Sequence, residues 1–485
     1  MARRLVLGVD SSTQSVKVEA RDLDSGEVAA TGTAKHPSTT PPVSEQDPEA
    51  WWDALVVAVG QLGDHRADVV ALSVAGQQHG LVLLDDAGAP LRPAKLWNDT
   101  TSSGQANRLV ERFGADVWSA RTGSVPVAAF TITKLAWVAE HEPDLLERAE
   151  MVMLPHDYLT WRLTGEHVSD RGDASGSGWF DPSSGERHAD LLGAAVGGDG
   201  AAWLGRVPTV LAPTDPAGTI TATAAAALGL PGDVVIGPGT GDNMGAALGL
   251  GLNAGDVAIS LGTSGTVFAV SDSATSDPSG AVAGFASASG NFLPLVCTLN
   301  ATKVTDTVAR WLATDARGLA DLAMVAAGDP GAVTLVPYFD GERTPNLPDA
   351  TGTFVGLTNA TTREQLALAA HDGVLCGLLG GVDALRAVGA TIDGRAFLVG
   401  GGSRSAAYRQ RAADLLEAPV VIPDTDETVA TGAAVQAAGL VSGASFTAVG
   451  ERWQLGAGQT IEPVNEAHDV RSNYRALTEP GAAVG

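Results

Sequence analysis

Basic side chains are scarce in this sequence of 485 residues. It has 30 Lys and Arg against 56 Asp and Glu, which gives a formal net charge of −26. A broad surface for nucleic acid or for an anionic membrane needs clustered basic residues, so we expect neither partner. An anionic ligand would instead need backbone N–H groups and a metal ion at one local site.

Cysteines and long apolar runs are equally scarce. The two cysteines, Cys297 and Cys376, can build neither a disulfide scaffold nor a Cys-rich metal site. The first apolar run is cut short by Asp10, which makes it too short for a secretory signal. No stretch of about 18 apolar residues is present, as a membrane span would need. These absences predict a cytoplasmic protein.

Several catalytic motifs are also missing. The sequence has no Gly-x4-Gly-Lys-Ser/Thr, so it does not encode a P-loop. Gly239-Thr-Gly-Asp242 matches only the first two glycines of a dinucleotide fingerprint. The absence of His-Glu-x-x-His, Gly-x-Ser-x-Gly and Cys-x-x-Cys disfavours zinc hydrolases and serine esterases.

What is abundant points to two packed α/β domains. Apolar residues make up 45% of the chain and 59 residues are glycine, enough for sizeable cores and many tight turns. Each half has a strand, a polar turn and a returning strand, and later a strand that ends in a glycine-containing turn. The predicted segments are Leu5–Val9, Val16–Ala20, Val28–Thr33 and Val69–Ala75 in the first half, and Asp256–Leu261, Thr266–Val270 and Ala396–Val399 in the second.

Helix caps and domain limits follow from the same reading. Asp47 is predicted to cap a helix that begins with Pro48, and Thr362 with Gln365 forms a capping box for a long second helix. The predicted domains are 1–243 and 244–450, joined near residues 243–256, with 451–485 as a tail or surface helix.

Polar residues at the ends of predicted strands are the candidate site. Asp242 follows a buried strand in a glycine-rich turn at the seam between the halves and is the main candidate. Asp10-Ser-Ser-Thr13 is either ordinary turn chemistry or a phosphate-facing loop, with Asp10 holding a hydrated cation. Gly262-Thr-Ser-Gly265 is the matching turn of the second half and lacks the acid.

A second polar group suits a neutral polyol. Gln77, Gln78 and His79 lie at a strand end, and Trp97-Asn-Asp99 follows soon after. Amides, a carboxylate and an aromatic face can satisfy sugar hydroxyls, although a single histidine is more often a structural loop or core residue. Arg171 and Asp173 are read as surface or structural charges.

Together these blocks resemble the FGGY carbohydrate kinases. The resemblance runs in order from residue 5 to about residue 440. It is carried by Gly-Val-Asp10-Ser-Ser-Thr, Gly76-Gln-Gln-His-Gly80, Leu96-Trp-Asn-Asp99, Lys134-Leu-Ala-Trp137 with His141-Glu-Pro143, Gly241-Asp-Asn243, Ser260-Leu-Gly-Thr-Ser-Gly265, Gly341-Glu-Arg-Thr-Pro345 and Gly400-Gly-Gly-Ser-Arg404.

The resemblance implies a fold and a set of roles. The fold would be two actin-like (ribonuclease H-like) ATPase domains around a central interdomain cleft, with sugar held mainly by the first and ATP mainly by the second. Asp242 would be the catalytic base, and Asp10 would lie near Mg²⁺. The sugar would contact Gln78, His79, Trp97, Asp99 and Asn243, and ATP would contact Thr13, Gly262, Thr263, Gly401, Gly402 and Ser403.

Within the family, the Gln-x-His-Gly and Trp-Asn-Asp blocks favour the branch that phosphorylates D-xylulose over the branch that phosphorylates glycerol. The expected reaction is ATP-dependent formation of D-xylulose 5-phosphate, with the ketose and ATP as small-molecule partners. Two alternatives stay open. The protein could be a kinase of the same family for another ketose, such as ribulose, or for a polyol, or it could be a sugar or nucleotide sensor without turnover. The sequence leaves a homodimer open.

Overall fold

The computed structural model describes residues 3–328, 333–425 and 427–478. The last residues of the predicted tail, 479–485, lie outside this range. The strands are β1 Leu5–Ser11, β2 Ser15–Asp22, β3 Val28–Lys35, β4 Glu45–Gln46, β5 Val69–Gly76, β6 Val82–Leu84, β7 Ala94–Lys95, β8 Met151–Met153, β9 Val168–Asp170, β10 Thr209–Leu211, β11 Gly218–Thr219, β12 Val235–Ile236, β13 Thr240–Gly241, β14 Val257–Leu261, β15 Gly265–Ala269, β16 Ala283–Ala286, β17 Phe292–Thr298, β18 Thr334–Val336, β19 Thr353–Val355, β20 Ala396–Val399, β21 Val420–Pro423 and β22 Gly458–Ile461.

The α-helices alternate with these strands. They are α1 Pro48–Gly60, α2 Ser103–Phe113, α3 Ala115–Thr122, α4 Thr131–His141, α5 Pro143–Arg148, α6 Pro155–Thr164, α7 Arg171–Ala174, α8 Ala189–Val196, α9 Gly200–Trp203, α10 Ala222–Leu228, α11 Asp242–Gly249, α12 Thr302–Trp311, α13 Ala316–Ala326, α14 Arg363–Ala387, α15 Ala406–Leu416, α16 Thr428–Ser442, α17 Phe446–Arg452 and α18 His468–Thr478. Gly63–Asp68 and Gly401–Arg404 form short 3₁₀ helices.

The first unit is built on a mixed sheet. Its strand order is β3-β2-β1-β5-β12-β11, and β13 also pairs with β5. β1, β2 and β3 form an antiparallel meander, whereas β5 is parallel to β1, and β12 and β13 are parallel to β5. Every residue of β1 is buried, which explains why its sequence is a continuous apolar run rather than an alternating one.

Helices cover both faces of this sheet. α1 packs against β2 and β3, and Asp47 caps it by accepting a hydrogen bond from the N–H of Glu49, so the predicted cap is confirmed. On the other face, α16 packs against β1 and β5. A Cβ on Gly8 would lie 1.8 Å from the carbonyl oxygen of Ala430, so only glycine lets α16 approach β1 this closely.

The second unit repeats the same strand arrangement. Its sheet runs β17-β15-β14-β20-β21-β22, with an antiparallel β14-β15-β17 meander and with β20 parallel to β14 and β21 parallel to β20. In both units a three-stranded meander is thus followed by parallel strands, which is the ribonuclease H-like arrangement. The predicted capping box of Thr362 and Gln365 is confirmed at the start of α14.

Helix α14 forms the core of the second unit. It packs against α12, α13 and β15. By length and apolar composition alone α14 is a candidate membrane span, and so is the bent pair α16 and α17. Most of the apolar window of α14 is buried inside the unit, and its Asp372 forms a bidentate ion pair with the buried Arg411, as expected of a core helix.

The compact units do not follow continuous stretches of chain. Within the described residues, the first unit comprises the chain up to 252 with 272–293 and 427–455, and the second comprises the remainder. The predicted limit at 243 differs from this because Asp242 begins α11, which packs on α16 in the first unit. The predicted tail contains α18 and also β22, which pairs antiparallel with β21.

Candidate active site

Three parallel strands of the first unit end side by side. Ser11 of β1 and Gly241 of β13 are both in register with Gly76 of β5. The side chains at or just past these strand ends, Asp10, Gln77 to His79 and Asp242, therefore share one edge of the sheet. Such carboxyl-terminal edges are where open α/β sheets bind their ligands.

The sequence pattern had placed Asp242 in a glycine-rich turn. In the structure it is instead the first residue of helix α11. Its Oδ1 accepts hydrogen bonds from the backbone N–H of Asn243 at 2.7 Å and from Asn243 Nδ2 at 2.8 Å. Burial raises the pKa of Asp242 to about 6, and the hydrogen bonds and the helix N-terminus favour the ionised form. Because both bonds fall on Oδ1, Oδ2 is the oxygen available to take a proton.

Gln78 lies directly against Asp242. Asn243 Nδ2 also donates to Gln78 Oε1 at 2.9 Å, and a Cβ on Gly241 would lie 2.8 Å from the Gln78 side chain. A larger residue at 241 would therefore displace the Gln78 side chain from this position. Gln78 Nε2 is buried without a hydrogen-bond partner among the described residues, so an unused donor lies beside the carboxylate.

His79 is held in a fixed position by its surroundings. Its φ is 65°, a left-handed conformation that is uncommon outside glycine. Its N–H donates to Asp173 Oδ1 at 3.3 Å. Its ring stacks on Phe130, with 5.0 Å between ring centroids, and lies near Phe285.

Thr13 joins two groups that the sequence had assigned to different ligands. Its Oγ1 donates to Gln77 Oε1 at 3.0 Å and accepts from Trp97 Nε1 at 2.9 Å. The predicted phosphate-facing and sugar-facing residues are thus in contact. Gln77 was recognised only as part of a polar cluster, and its position within Gly76–Gly80 was the available signal.

Asp99 does not belong with these residues, contrary to the predicted pocket role. It is fully buried, and its oxygens accept hydrogen bonds from Ser44 N and from the N–H and Oγ1 of Thr101. Lys95 Nζ lies 3.4 Å away. Asp99 therefore shapes the chain around Trp97 rather than offering an oxygen to a ligand.

Asp10 has a buried carboxyl group that a cation could coordinate. Its side chain is buried, and Oδ1 has no hydrogen-bond partner in the described part of the chain. Burial raises its pKa to about 8, assisted by the negative charges of Glu427 and Asp242, while Lys17 opposes the rise. Lys17 Nζ lies 3.9 Å from Oδ2. A divalent cation would coordinate Oδ1 of Asp10 and would offset the repulsion from the negative charges of Glu427 and Asp242.

No cluster of three or more His, Cys, Asp or Glu side chains able to hold a metal occurs among the described residues.

The predicted ATP residues of the second unit also meet at one strand edge. Ser260 of β14 is in register with Val399 of β20, so Gly262 and Gly400 leave the sheet together. The carbonyl of Gly262 accepts hydrogen bonds from the N–H and Oγ1 of Thr302. A Cβ on Gly402 would lie 2.7 Å from Leu261 Cβ. Gly262, Thr263, Gly401, Gly402 and Ser403 are therefore neighbours on this edge.

The protein has two ribonuclease H-like sheets. The first carries acids and amides at its strand ends, and the second carries glycine turns. Together they define a two-domain kinase of the actin-like ATPase fold. The chain matches the N-terminal domain of the FGGY family of carbohydrate kinases over residues 5–249 and the C-terminal domain over residues 257–440. The protein belongs to this family.

Relatives and a solved structure match this chain over almost its whole length. A protein from Streptomyces coelicolor named xylulose kinase is 47% identical over 99% of this chain and 98% of its own. Another of the same name from Streptomyces rubiginosus is 45% identical with the same coverage. The crystal structure of xylulose kinase from Bifidobacterium adolescentis superposes with a TM-score of 0.88 at 41% identity, covering 99% of this chain and 100% of that chain.

Proposed function

We propose that the protein transfers the γ-phosphoryl group of ATP to D-xylulose and forms D-xylulose 5-phosphate. The observation that carries the proposal is the cluster of Asp242, Asn243 and Gln78 at the strand ends of the first unit. The full-length likeness to relatives named xylulose kinase supports the choice of sugar.

Asp242 is the general base of the proposed reaction. With a pKa of about 6, its carboxylate is mostly ionised at pH 7 and can accept the proton of the attacking sugar hydroxyl through Oδ2. The hydrogen bonds from Asn243 fix the orientation of the carboxylate. Phosphoryl transfer passes through a loose transition state, so such positioning is the main contribution of the protein.

The sugar hydroxyls are bound by polar groups around this base. Gln78 Nε2 offers a donor next to Asp242, and His79 and Trp97 supply ring surfaces with polar edges. Gln77 and Thr13 link this pocket to the turn after β1. In this proposal the first unit binds mainly the sugar, and the second unit binds mainly ATP.

Phosphate binding is divided between an acid and backbone groups. Asp10 would hold Mg²⁺, which when bound neutralises phosphate oxygens as charge shifts to the leaving group. Thr13 lies on the same turn and would contact the γ-phosphate, and the turn at Gly262 and Thr263 would bind the phosphates through its backbone. Gly401, Gly402 and Ser403 border the adenosine. These local groups allow a chain with a net charge of −26 to bind a polyanion.

A coupled assay of ADP release over a panel of ketoses and polyols tests the proposal. We expect the highest kcat/KM with D-xylulose and less with D-ribulose and glycerol. Asp242→Asn is the matched control, since it keeps the shape of the side chain and removes the base. A clear preference for another sugar would overturn the assignment of D-xylulose. Tight sugar binding without sugar-dependent ADP release would indicate a sensor and overturn the enzyme.

A cytoplasmic location and the absence of nucleic-acid and membrane partners stay predictions. A homodimer also remains to be tested, by light scattering of the purified chain.

A further inference from the structure

A fully buried histidine lies beneath the proposed sugar site. His156 is the second residue of α6, and its side chain is completely inaccessible to solvent. Its Nε2 lies 3.2 Å from Asp157 Oδ1, 3.3 Å from Asp170 Oδ1 and 3.6 Å from Asp173 Oδ2. All three carboxyl groups are themselves buried. Asp173, which the sequence left as a surface or structural charge, thus lies in the interior.

The group around His156 is held together by charge. Burial alone lowers the pKa of His156, but Asp157, Asp170 and Asp173 more than reverse this and raise it to about 9, so the ring is an imidazolium at neutral pH. Burial raises the pKa of Asp173 well above its ordinary value and the pKa of Asp157 to about 6, and the positive charge of His156 opposes both rises.

Two of the carboxyl groups join His156 to other parts of the proposed site, and the third fixes the helix that carries it. Asp170 Oδ2 accepts a hydrogen bond at 2.9 Å from Thr240 Oγ1, two residues before the base. Asp173 Oδ1 accepts the hydrogen bond from His79 N at 3.3 Å. Asp157 Oδ2 accepts from Leu154 N at 2.9 Å and fixes the start of α6.

His156 also packs directly against the two glycines that lead into these turns, Gly76 through its Cβ and Gly239 through its ring. A Cβ on Gly76, the last residue of β5, would lie 3.0 Å from the Cβ of His156, and a Cβ on Gly239 would lie 2.6 Å from its Nδ1. Gly76 precedes the glutamines, and Gly239 precedes the strand that leads to Asp242. One residue therefore lies against both segments that meet at the proposed sugar site.

We propose that His156 is a positioning residue. As a buried cation it holds Asp157, Asp170 and Asp173 together, and it thereby fixes the turn at His79 and the segment that ends at Asp242 in the geometry that phosphoryl transfer to the sugar requires. It acts through these neighbours and does not touch the reactants. This inference rests on the proposed function.

The kinetic test compares His156→Gln, which removes the charge, with His156→Lys, which keeps it. His371→Gln is the matched control, because His371 is also buried but burial lowers its pKa to about 4 and leaves it neutral. We expect His156→Gln to lower kcat/KM for the sugar about 100-fold, through both a higher KM and a lower kcat. The KM for ATP should change less than about twofold, and His156→Lys should recover most of the loss.

Two results would overturn the proposal. One is a folded His156→Gln protein, with cooperative unfolding, whose kcat/KM for the sugar stays within about threefold of the parent. The other is a His156→Lys protein no more active than His156→Gln. If His156→Gln does not fold, Thr240→Val takes its place, because it keeps the side-chain shape and removes only the hydrogen bond to Asp170. We expect about a tenfold lower kcat for Thr240→Val, and an unchanged value would contradict the proposal.

The charge of His156 can be measured without any turnover. In the parent protein with ¹⁵N-labelled histidine, the His156 signal, identified by its loss in His156→Lys, should show both ring nitrogens protonated at neutral pH. A neutral ring would overturn the proposal. If the parent phosphorylates another sugar, the kinetic series is repeated with that sugar. If it phosphorylates none, the proposed function fails while the NMR result still decides the charge.

Discussion

The two sheets have the same strand arrangement but different chemistry at the same edge. In the first, the penultimate residue of β1 is the buried Asp10, and β5 is followed by Gln77, Gln78 and His79. In the second, the penultimate residue of β14 is Ser260, and β20 is followed by Gly400, Gly401, Gly402 and Ser403. One edge thus offers carboxylates and amides, and the other offers backbone and small side chains.

This difference teaches that one fold can be adapted to two kinds of ligand by changing only the residues after its strands. Side-chain acids and amides can distinguish one hydroxyl from another and can move a proton. Exposed backbone N–H groups bind phosphate oxygens with little discrimination. The following predictions test this contrast.

The largest effect is expected at the proposed base of the first edge. Asp242→Ala removes the base and should lower kcat about 1,000-fold, because proton transfer by a positioned group contributes about 10² to 10⁴ in rate. Sugar binding, measured by calorimetry, should stay within about tenfold. Turnover above about a tenth of the parent value would remove Asp242 from the role of base.

The second prediction compares substitutions at equivalent positions of the two edges, Asp10→Asn in the first and Ser260→Ala in the second. Asp10→Asn keeps the size of the side chain and removes its charge, so we expect about a 100-fold fall in kcat together with a higher Mg²⁺ requirement. Ser260→Ala at the equivalent place should change kcat less than about threefold. Equal effects of the two substitutions in the ADP-release assay would show that the acid does not distinguish the edges.

The pH dependence should report the acids of the first edge. Asp242 acts as the ionised form, and its raised pKa of about 6 means that activity is present above this pH and lost as pH falls through it. At saturating Mg²⁺, kcat/KM should therefore fall about tenfold per unit below pH 6. At limiting Mg²⁺, Asp10 with a pKa of about 8 should add a second fall on the way from pH 8 to pH 7. A flat profile down to pH 5 would contradict the assignment.

The smallest effect is expected from the glycines of the second edge. Gly400 has a φ of 85°, and a Cβ there would lie 2.7 Å from the carbonyl oxygen of Leu261, whereas a Cβ on Gly401 would have no atom within 4 Å. Gly400→Ala should therefore lower stability by about 1 to 3 kcal/mol in thermal unfolding. Gly401→Ala should leave the melting temperature unchanged and raise the KM for ATP a few-fold if backbone at 401 approaches the nucleotide. An unchanged KM for ATP with Gly401→Ala would place the nucleotide elsewhere.

Local chemistry was predicted well from the sequence. The caps at Asp47 and Thr362 and both hairpins occur where the pattern places them. Each depends on residues a few positions apart, so its signal lies within one short window. The ordered motif blocks were also enough to identify the family, because several specific blocks in one order rarely coincide.

Contacts between residues far apart in the chain could not be predicted in this way. Gln78 bonds Asn243 across 165 positions, and Lys17 bonds Glu427 across 410. The discontinuous first unit exists because α16 returns to pack on β1. These pairings are set by how helices and strands pack together, which no short window records.

The sequence by itself determined the two-domain α/β class and the family and singled out Asp242 as the candidate base, since each follows from apolar runs, turn residues and short motifs. Only the tertiary structure decided that Asp99 is buried and hydrogen-bonded within the chain, that Gln77 contacts Thr13, and that His156 is surrounded by three buried carboxyl groups. The physical reason is that burial and charge pairing depend on contacts between distant segments, and these form only when the whole unit is packed.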